Sequence, residues 1–282
     1  MPAQHTMPNA TTKTSHQLGA SALAVGYGER AVIQGLDLQV PDGAITTIVG
    51  PNACGKSTLL RSMSRLLKPR QGQVLLDGNA VHRLPAKELA RTLGLLPQTP
   101  LAPEGITVAD LVGRGRQPHQ KLLARWSTAD DLAVAEALEL TNTAGLAERA
   151  VDELSGGQRQ RVWIAMALAQ QTDILLLDEP TTFLDVAHQV EVLDLLTDLN
   201  RARGTTIVMV LHDLNLAARY GQHLVAMREG KIVANGEPGQ VLTAEVVATV
   251  FGLCCQVIAD PTTNKPLILP VGRHHMLESA TR

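Results

Sequence analysis

Aromatic side chains are scarce in this sequence, whose 282 residues include only two tryptophans, two tyrosines and two phenylalanines. Proteins that bind single-stranded nucleic acid usually stack bases on aromatic side chains, so the composition argues against that class. The charges are nearly balanced, with 25 basic and 27 acidic residues. A broad basic surface for nucleic acid or an anionic membrane is therefore not expected, and we predict no nucleic-acid partner.

Long apolar runs are also missing. The longest, such as residues 174–177 and 205–211, have the length of strands and fall far short of the roughly 18 residues that a membrane-spanning helix needs. The three cysteines, Cys54, Cys254 and Cys255, form no CxxC pair, so they cannot build a disulfide framework, as suits a reducing compartment. Cys254 and Cys255 are interpreted as buried or idle thiols rather than ligands.

The first 40 residues divide into two parts. Residues 1–20 are rich in Thr, Ser, Ala, Asn and His and lack the apolar core of a secretory signal, so we predict a disordered leader there. Residues 21–40 contain short β-like runs interrupted by glycines, and they end at the turn sequence Pro-Asp-Gly at 41–43. Residues 73–84 read in the same way, and the two stretches predict an antiparallel β layer.

Strands and helices alternate through most of the remaining chain. Apolar runs predict strands at residues 44–49, 93–96, 174–177 and 205–211, and helical periodicity predicts helices at residues 57–67 and 187–200. Strands separated by helices indicate a parallel sheet. The sequence thus predicts an α/β domain over residues 21–236. It has an antiparallel β subdomain and a helical insert at about 99–161, and residues 237–282 form a C-terminal extension.

A glycine-rich segment lies between the first predicted core strand and its helix. Its residues are Gly50, Pro51, Asn52, Ala53, Cys54, Gly55, Lys56, Ser57 and Thr58. They fit the pattern G-x4-G-K-[ST], in which backbone N–H groups and a helix N-terminus hold phosphates. In this setting Lys56 reaches the β- and γ-phosphate oxygens, and Ser57 ligates Mg²⁺. A chance glycine-rich turn is the alternative, and the flanking strand and helix argue against it.

Two carboxylates, Asp178 and Glu179, follow the strand predicted at residues 174–177. Asp178 can hold Mg²⁺ through water, and Glu179 can orient and deprotonate an attacking water. Taken alone, such a pair is usually a solvated turn. Parallel strands deliver their carboxyl ends to one edge of a sheet, so the phosphate loop favours the catalytic interpretation. Together the two motifs predict a P-loop NTPase.

A second candidate anion-binding loop precedes an apolar helix predicted at residues 159–169. Its residues are Ser155, Gly156, Gly157 and Gln158. They present a hydroxyl and two unobstructed glycine amides at a helix N-terminus. A helix cap with flexible glycines is the alternative. One nucleotide does not need two such loops so far apart in sequence, so the second loop is predicted to serve ATP held by another subunit.

The order of these motifs resembles the ATP-binding subunits of ABC transporters, and the resemblance covers residues 21–236. It implies a RecA-like P-loop core, ATP and Mg²⁺ as ligands, and ATP hydrolysis coupled to transmembrane transport. It also implies a head-to-tail homodimer that clamps ATP between the phosphate loop of one copy and residues 155–157 of the other. Such a dimer acts at the cytoplasmic face of the cell membrane with transmembrane permease subunits, and indirectly with a substrate-binding protein.

Further residues match family positions one at a time. Tyr27 resembles the aromatic residue that stacks on adenine, and Gln98 the glutamine that senses Mg²⁺ and the attacking water. Asp185 resembles the loop carboxylate that crosses the dimer interface, and His212 the switch histidine that contacts the γ-phosphate. The alternatives are a strand-edge core tyrosine, an ordinary loop glutamine and a structural histidine. Many members have glycine in place of Ala53, where a Cβ costs on the order of 1 kcal/mol if the backbone is left-handed.

Two segments bear on the transported cargo. Residues 113–119, with the sequence Gly-Arg-Gly-Arg-Gln-Pro-His, and residues 180–185 resemble importers of iron siderophores, haem and cobalamin. The favoured cargo is a ferric siderophore or a related chelate, and haem or cobalamin is the alternative. In the family the first segment lies close to the permease docking surface, whereas a basic solvated loop is the structural alternative.

Three other functional classes are alternatives to a transporter. A soluble ABC ATPase acting on DNA, ribosomes or iron–sulfur assembly is one alternative, and the segment at residues 113–119 favours transport over it. A P-loop nucleotide kinase would leave the second loop and His212 without a role. A non-catalytic nucleotide-gated regulator can be distinguished only by a measured rate of hydrolysis.

Overall fold

The computed structural model describes residues 14–120, 126–272 and 274. The leader prediction for residues 1–13 lies outside the described residues. The first strand begins at Leu18, before the predicted domain start at residue 21, and both Leu18 and Ala20 are buried. The folded core therefore begins earlier than the sequence indicated.

The elements follow one another as strands and helices in mixed order. The strands are β1 (Leu18–Tyr27), β2 (Arg30–Val40), β3 (Ile45–Val49), β4 (Gln71–Leu76), β5 (Asn79–Ala80), β6 (Leu93–Leu96), β7 (Ile174–Asp178), β8 (Thr206–Val210), β9 (His223–Arg228), β10 (Lys231–Gly236), β11 (Cys255–Ala259) and β12 (Pro266–Pro270). The helices are α1 (Lys56–Met63), α2 (Ala86–Thr92), α3 (Val108–Gly113), α4 (Thr128–Leu140), α5 (Gly156–Ala169), α6 (Val186–Arg203), α7 (Leu214–Tyr220), α8 (Pro238–Val241) and α9 (Ala244–Phe251).

The central sheet has the order β10-β9-β3-β8-β7-β6. Its strands β9, β3, β8, β7 and β6 run parallel to their neighbours, and only β10 pairs antiparallel. Every residue of β3, β7 and β8 is buried, as expected for parallel strands with both faces covered. The predicted α/β class with a parallel core sheet is confirmed.

Alternation along β8 shows what covers each face of this sheet. Ile207 and Met209 belong to one cluster of buried apolar residues, which includes the helical insert and the C-terminal extension. Val208 and Val210 belong to a second cluster, which includes α1 and the antiparallel sheet of order β2-β1-β4-β5. Because successive side chains of a strand point to opposite faces, the two clusters lie on either side of the central sheet.

Helix α1 ends sooner than its sequence pattern suggests. The predicted helix reached residue 67, whereas α1 ends at Met63, with Ser64 as its C-cap. Arg65 has a φ of 68°, and a left-handed residue cannot continue a right-handed helix. Leu66 is consequently exposed rather than on a buried helical face, so the apolar spacing was misleading there.

The basic segment at residues 113–119 is not a solvated loop throughout. Arg116 is buried, and its Nε donates to Asp130 Oδ1 at 2.9 Å. Gly115 lies so close to α5 that a Cβ there would be 2.3 Å from the carbonyl oxygen of Met166. Asp130 belongs to α4, so the segment fastens two helices of the insert together. The solvated-loop interpretation is therefore wrong for Gly115 and Arg116.

The C-terminal extension packs onto the domain through α9 and the β11–β12 hairpin. Val250 and Ile268 are buried members of the core cluster. Cys254 is exposed and Cys255 is partly buried, so of the two alternatives, buried or idle, burial does not hold for Cys254. None of the helices in the described parts of the chain is long and apolar enough to span a bilayer.

Candidate active site

The predicted site residues converge on the carboxyl edge of the parallel sheet. The phosphate loop follows β3, Gln98 follows β6, Asp178 ends β7, and His212 follows β8. These four strands are consecutive in the sheet order β3-β8-β7-β6. Residues far apart in sequence thus meet at one edge because the strands that carry them are neighbours.

Lys56 is buried at the start of α1, inside the phosphate loop. Its ammonium donates hydrogen bonds to two carbonyl oxygens of the same loop, Gly50 O at 2.8 Å and Pro51 O at 2.9 Å. Gly50 itself admits no side chain, because a Cβ would be 2.3 Å from the carbonyl oxygen of Met227. The loop therefore forms a tight turn around a buried cation, which suits an anionic ligand.

Ala53 adopts the left-handed backbone conformation, in which a Cβ is energetically unfavourable. Its φ is 61°, which lies in the left-handed region that residues other than glycine rarely adopt. The side chain is exposed, so no packing compensates for the unfavourable backbone. The phosphate loop of this chain accordingly contains local strain.

Ser57 and Asp178 form a pair of oxygen donors beside the phosphate loop. The Ser57 hydroxyl donates to Asp178 Oδ1 at 2.9 Å. Burial raises the pKa of Asp178, and the neighbouring Glu179 carboxylate acts in the same direction, while the Ser57 hydrogen bond opposes both. A buried carboxylate with raised pKa gains from a nearby cation. Hydroxyl and carboxylate oxygens are also the ligands that Mg²⁺ prefers.

Glu179 is a buried carboxylate held from three directions. Its Oε2 accepts hydrogen bonds from Gln98 Nε2 at 2.7 Å and from the Thr182 hydroxyl at 3.1 Å. His212 Nε2 lies 2.7 Å from Oε1. The structure thus brings together the three residues predicted to be catalytic. Thr182 was missed, although a hydroxyl three residues after a candidate base, just beyond a proline, is a recognisable turn signal.

Tyr27 lies at the end of β1 and its side chain is 45% exposed. Its hydroxyl accepts a hydrogen bond from Arg61 in α1 at 3.1 Å. The exposed ring rules out the core-tyrosine interpretation. Because α1 begins in the phosphate loop, this bond fixes the tyrosine relative to that loop.

The second loop caps α5 and does not join the phosphate loop within the chain. Ser155 and Gln158 form a reciprocal capping box, the Ser155 hydroxyl accepting from Gln158 N–H. Both glycines approach the segment after Glu179: a Cβ on Gly157 would lie 3.4 Å from the Leu184 side chain. Within the described residues, no hydrogen bond links residues 155–158 to residues 50–58.

Asp185 caps α6 and lies in an exposed turn. Its carboxylate accepts from the backbone N–H of His188 at 2.9 Å, and the same oxygen is 2.7 Å from His188 Nδ1. These contacts lower the pKa of Asp185. The neighbouring Phe183 and Val186 expose 82% and 77% of their surface. The turn that contains Asp185 therefore presents two large apolar side chains to solvent.

Comparison with known proteins places this geometry in a family. The chain is 52% identical to the ferric enterobactin transport ATP-binding protein FepC of Escherichia coli (strain K12), over 93% of this chain and 97% of that protein. It is 54% identical to the achromobactin transport ATP-binding protein CbrD of Dickeya dadantii (strain 3937), over 92% and 96%.

Solved structures show the same fold. A dimeric post-hydrolysis state of the ATP-binding cassette MJ0796, bound to ADP and Pi, superposes with a TM-score of 0.69 at 29% identity, over 78% of this chain and 98% of that one. The family model described as "ABC transporter" matches residues 33–182. The family resemblance predicted from the motifs is thereby confirmed: the chain belongs to the ABC transporter ATP-binding family.

Proposed function

We propose that this chain is the ATPase subunit of an ABC importer for ferric siderophores or related iron chelates. Its reaction is the hydrolysis of ATP to ADP and phosphate. The observation that carries the assignment is the cluster around Glu179, in which a buried carboxylate contacts Gln98 and His212 beside the Ser57–Asp178 pair. A base for water and oxygen donors for a metal thus lie next to a loop built for phosphates.

ATP binding is assigned to the phosphate loop and to the exposed ring of Tyr27. Residues 50–58 surround the phosphates with backbone N–H groups, and Lys56 exchanges its carbonyl contacts for phosphate oxygens. Tyr27 stacks on the adenine through its exposed face. Arg61 supports this arrangement because its guanidinium holds the Tyr27 hydroxyl.

Glu179 is the proposed general base. It is buried, and His212 occupies its Oε1 at 2.7 Å. When His212 turns to the γ-phosphate, Oε1 becomes free to accept a proton from the attacking water. General-base assistance of this kind is typically worth ~10²–10⁴ in rate.

The donor set fits one Mg²⁺ ion. Ser57 and Asp178 supply oxygens 2.9 Å apart. The side-chain oxygen of Gln98 is the third candidate donor, because the Gln98 side-chain nitrogen already donates a hydrogen bond to Glu179. When bound, the ion neutralises charge on the β- and γ-phosphates. The raised pKa of Asp178 reflects the burial that such a cation would offset.

Residues 155–158 supply the other side of the nucleotide site from a second copy. Among the described residues no hydrogen bond links them to the phosphate loop of the same chain, and glycine amides at a helix N-terminus suit an anionic ligand. The exposed Phe183 and Val186, with Asp185 between them, provide contact surface for a head-to-tail homodimer. The solved relative that holds ADP and Pi is also dimeric.

The names of the relatives support our proposal for the cargo and the membrane partners. Both relatives named above are transport ATP-binding proteins, one for ferric enterobactin and one for achromobactin. We therefore assign the chain to the cytoplasmic face of the membrane, bound to permease subunits and acting indirectly with a substrate-binding protein. The segment at residues 113–119 is the proposed neighbour of the permease.

The importer assignment can be tested with the full chain in liposomes. Mg-ATP hydrolysis is measured alone and with a reconstituted ferric siderophore permease. We expect the permease to stimulate hydrolysis and Glu179→Gln to abolish that stimulation. Robust hydrolysis that ignores every permease offered would instead indicate a soluble ABC ATPase.

A further inference from the structure

The carboxylate of Glu179 is held unequally at its two oxygens. Oε2 accepts two hydrogen bonds, from Gln98 Nε2 and from the Thr182 hydroxyl. Among the described residues, Oε1 has one hydrogen-bonding partner, His212 Nε2 at 2.7 Å. A carboxylate oxygen can act as a base only through a lone pair that no donor already occupies. The oxygen with one displaceable neighbour is therefore the better base.

The three donors to the Glu179 carboxylate differ in whether they lie on the same chain segment as Glu179. Gln98 and His212 reach it from loops that follow other strands, β6 and β8, and both have further proposed roles toward metal and phosphate. Thr182 lies in the same turn as Glu179. Its backbone N–H donates to the Glu179 carbonyl at 3.2 Å, and its hydroxyl donates to the Glu179 carboxylate at 3.1 Å. The hydrogen bond from Thr182 to Glu179 is thus retained when the neighbouring loops rearrange.

The backbone of Glu179 makes this support necessary. Its φ is 57°, which lies in the left-handed region that a glutamate adopts only when its surroundings impose it. The strand therefore does not set the direction of the side chain. Thr182 stabilises the turn through two hydrogen bonds to Glu179, one to its backbone carbonyl and one to its carboxylate.

We propose that Thr182 is a positioning residue for ATP hydrolysis, and that its hydroxyl fixes Glu179 Oε2 so that Oε1 faces the attacking water. Thr182 does not touch the nucleotide in this role. It acts through Glu179, so it affects the chemical step rather than ATP binding. The inference rests on the proposed function, because it takes Glu179 to be the base.

The test uses the purified full chain and steady-state Mg-ATP hydrolysis of Thr182→Val, Thr182→Ala and Thr182→Ser. We expect kcat to fall about 10-fold in the Val and Ala variants, equivalent to ~1.4 kcal/mol, while KM for ATP stays within about twofold of wild type. Thr182→Ser keeps the hydroxyl and should recover most of kcat. Two different hydroxyl-free variants are used so that a folding defect in one does not decide the result.

A matched control is Thr197→Val. The Thr197 hydroxyl also makes an internal hydrogen bond, to the carbonyl of Leu193 at 2.8 Å within α6, but it lies outside the site. We expect this variant to keep the wild-type kcat. Loss of activity in Thr197→Val equal to that in Thr182→Val would overturn the proposal, because the effect would then follow any lost hydroxyl.

Glu179→Gln separates failure of this inference from failure of the proposed function. If Glu179→Gln is inactive while Thr182→Val keeps the wild-type kcat, the positioning role of Thr182 is wrong and the base assignment stands. A Thr182→Ser variant as slow as Thr182→Val, or a raised KM at unchanged kcat, also overturns it. If Glu179→Gln itself turns over at the wild-type rate, the proposed function is wrong as well.

Discussion

Replacing Ala53 by glycine is expected to make the protein more stable, against the usual effect of glycine. Ala53 lies in the phosphate loop with a φ of 61°. In this region the Cβ of an L-residue approaches the following carbonyl oxygen, and glycine has no Cβ to do so. The methyl group is exposed, so its removal costs little packing.

The size of the gain follows from two opposing effects. Relief of the left-handed conformation is worth ~1–2 kcal/mol. The unfolded chain of the glycine variant has more conformational entropy, which lowers the free energy of unfolding by ~0.4–1 kcal/mol. The midpoints leave a net stabilisation of about 0.8 kcal/mol. For a chain of 282 residues this corresponds to an increase in melting temperature of about 2 °C.

The assay is thermal melting of Ala53→Gly in the absence of nucleotide, with Ala135→Gly as the matched control. Ala135 is exposed in the middle of α4, where glycine should lower stability by ~1 kcal/mol. The two substitutions remove the same atoms and are expected to act with opposite sign. A lower melting temperature for Ala53→Gly would refute the claim that the phosphate loop is strained at this residue.

Two further predictions concern the helical insert. Gly115→Ala places a Cβ 2.3 Å from a backbone carbonyl oxygen of α5, so we expect a loss of ~1–3 kcal/mol in urea unfolding; Gly145→Ala meets nothing within 4 Å and should be neutral. The Ser127 hydroxyl and the Arg116 guanidinium lower the pKa of Asp130, so its charged form is favoured in the folded state. This stabilisation is present above the ordinary value of 3.8 and is lost as the pH falls below it. Melting temperatures measured from about pH 5 to pH 3 should therefore fall less steeply in Asp130→Asn than in wild type.

Much of the site could be predicted because its signals are local. The phosphate loop requires glycines and a lysine at fixed spacing, and the apolar run of β7 ends at Asp178. A parallel sheet then follows from the alternation of strands and helices, although the order of its strands does not. The sequence also indicates a cost at Ala53 if its backbone is left-handed, and the structure meets that condition.

What escaped prediction depends on contacts between distant residues or on side-chain direction. The burial of Arg116 needs Asp130, which belongs to another helix. Residue types indicate a turn at Thr182, but its hydrogen bond to Glu179 depends on side-chain directions that residue types do not specify. The end of α1 at Met63 is set by the left-handed Arg65, and no proline or glycine marks that position.

We propose that each ATP site is assembled from two copies of this chain. The most direct test is sedimentation velocity of the full-length Glu179→Gln variant, with and without Mg-ATP. Because this variant should bind ATP without hydrolysing it, we expect its mass to double when Mg-ATP is added. A monomer mass at saturating Mg-ATP would contradict the account, since residues 155–158 would then have no nucleotide to contact.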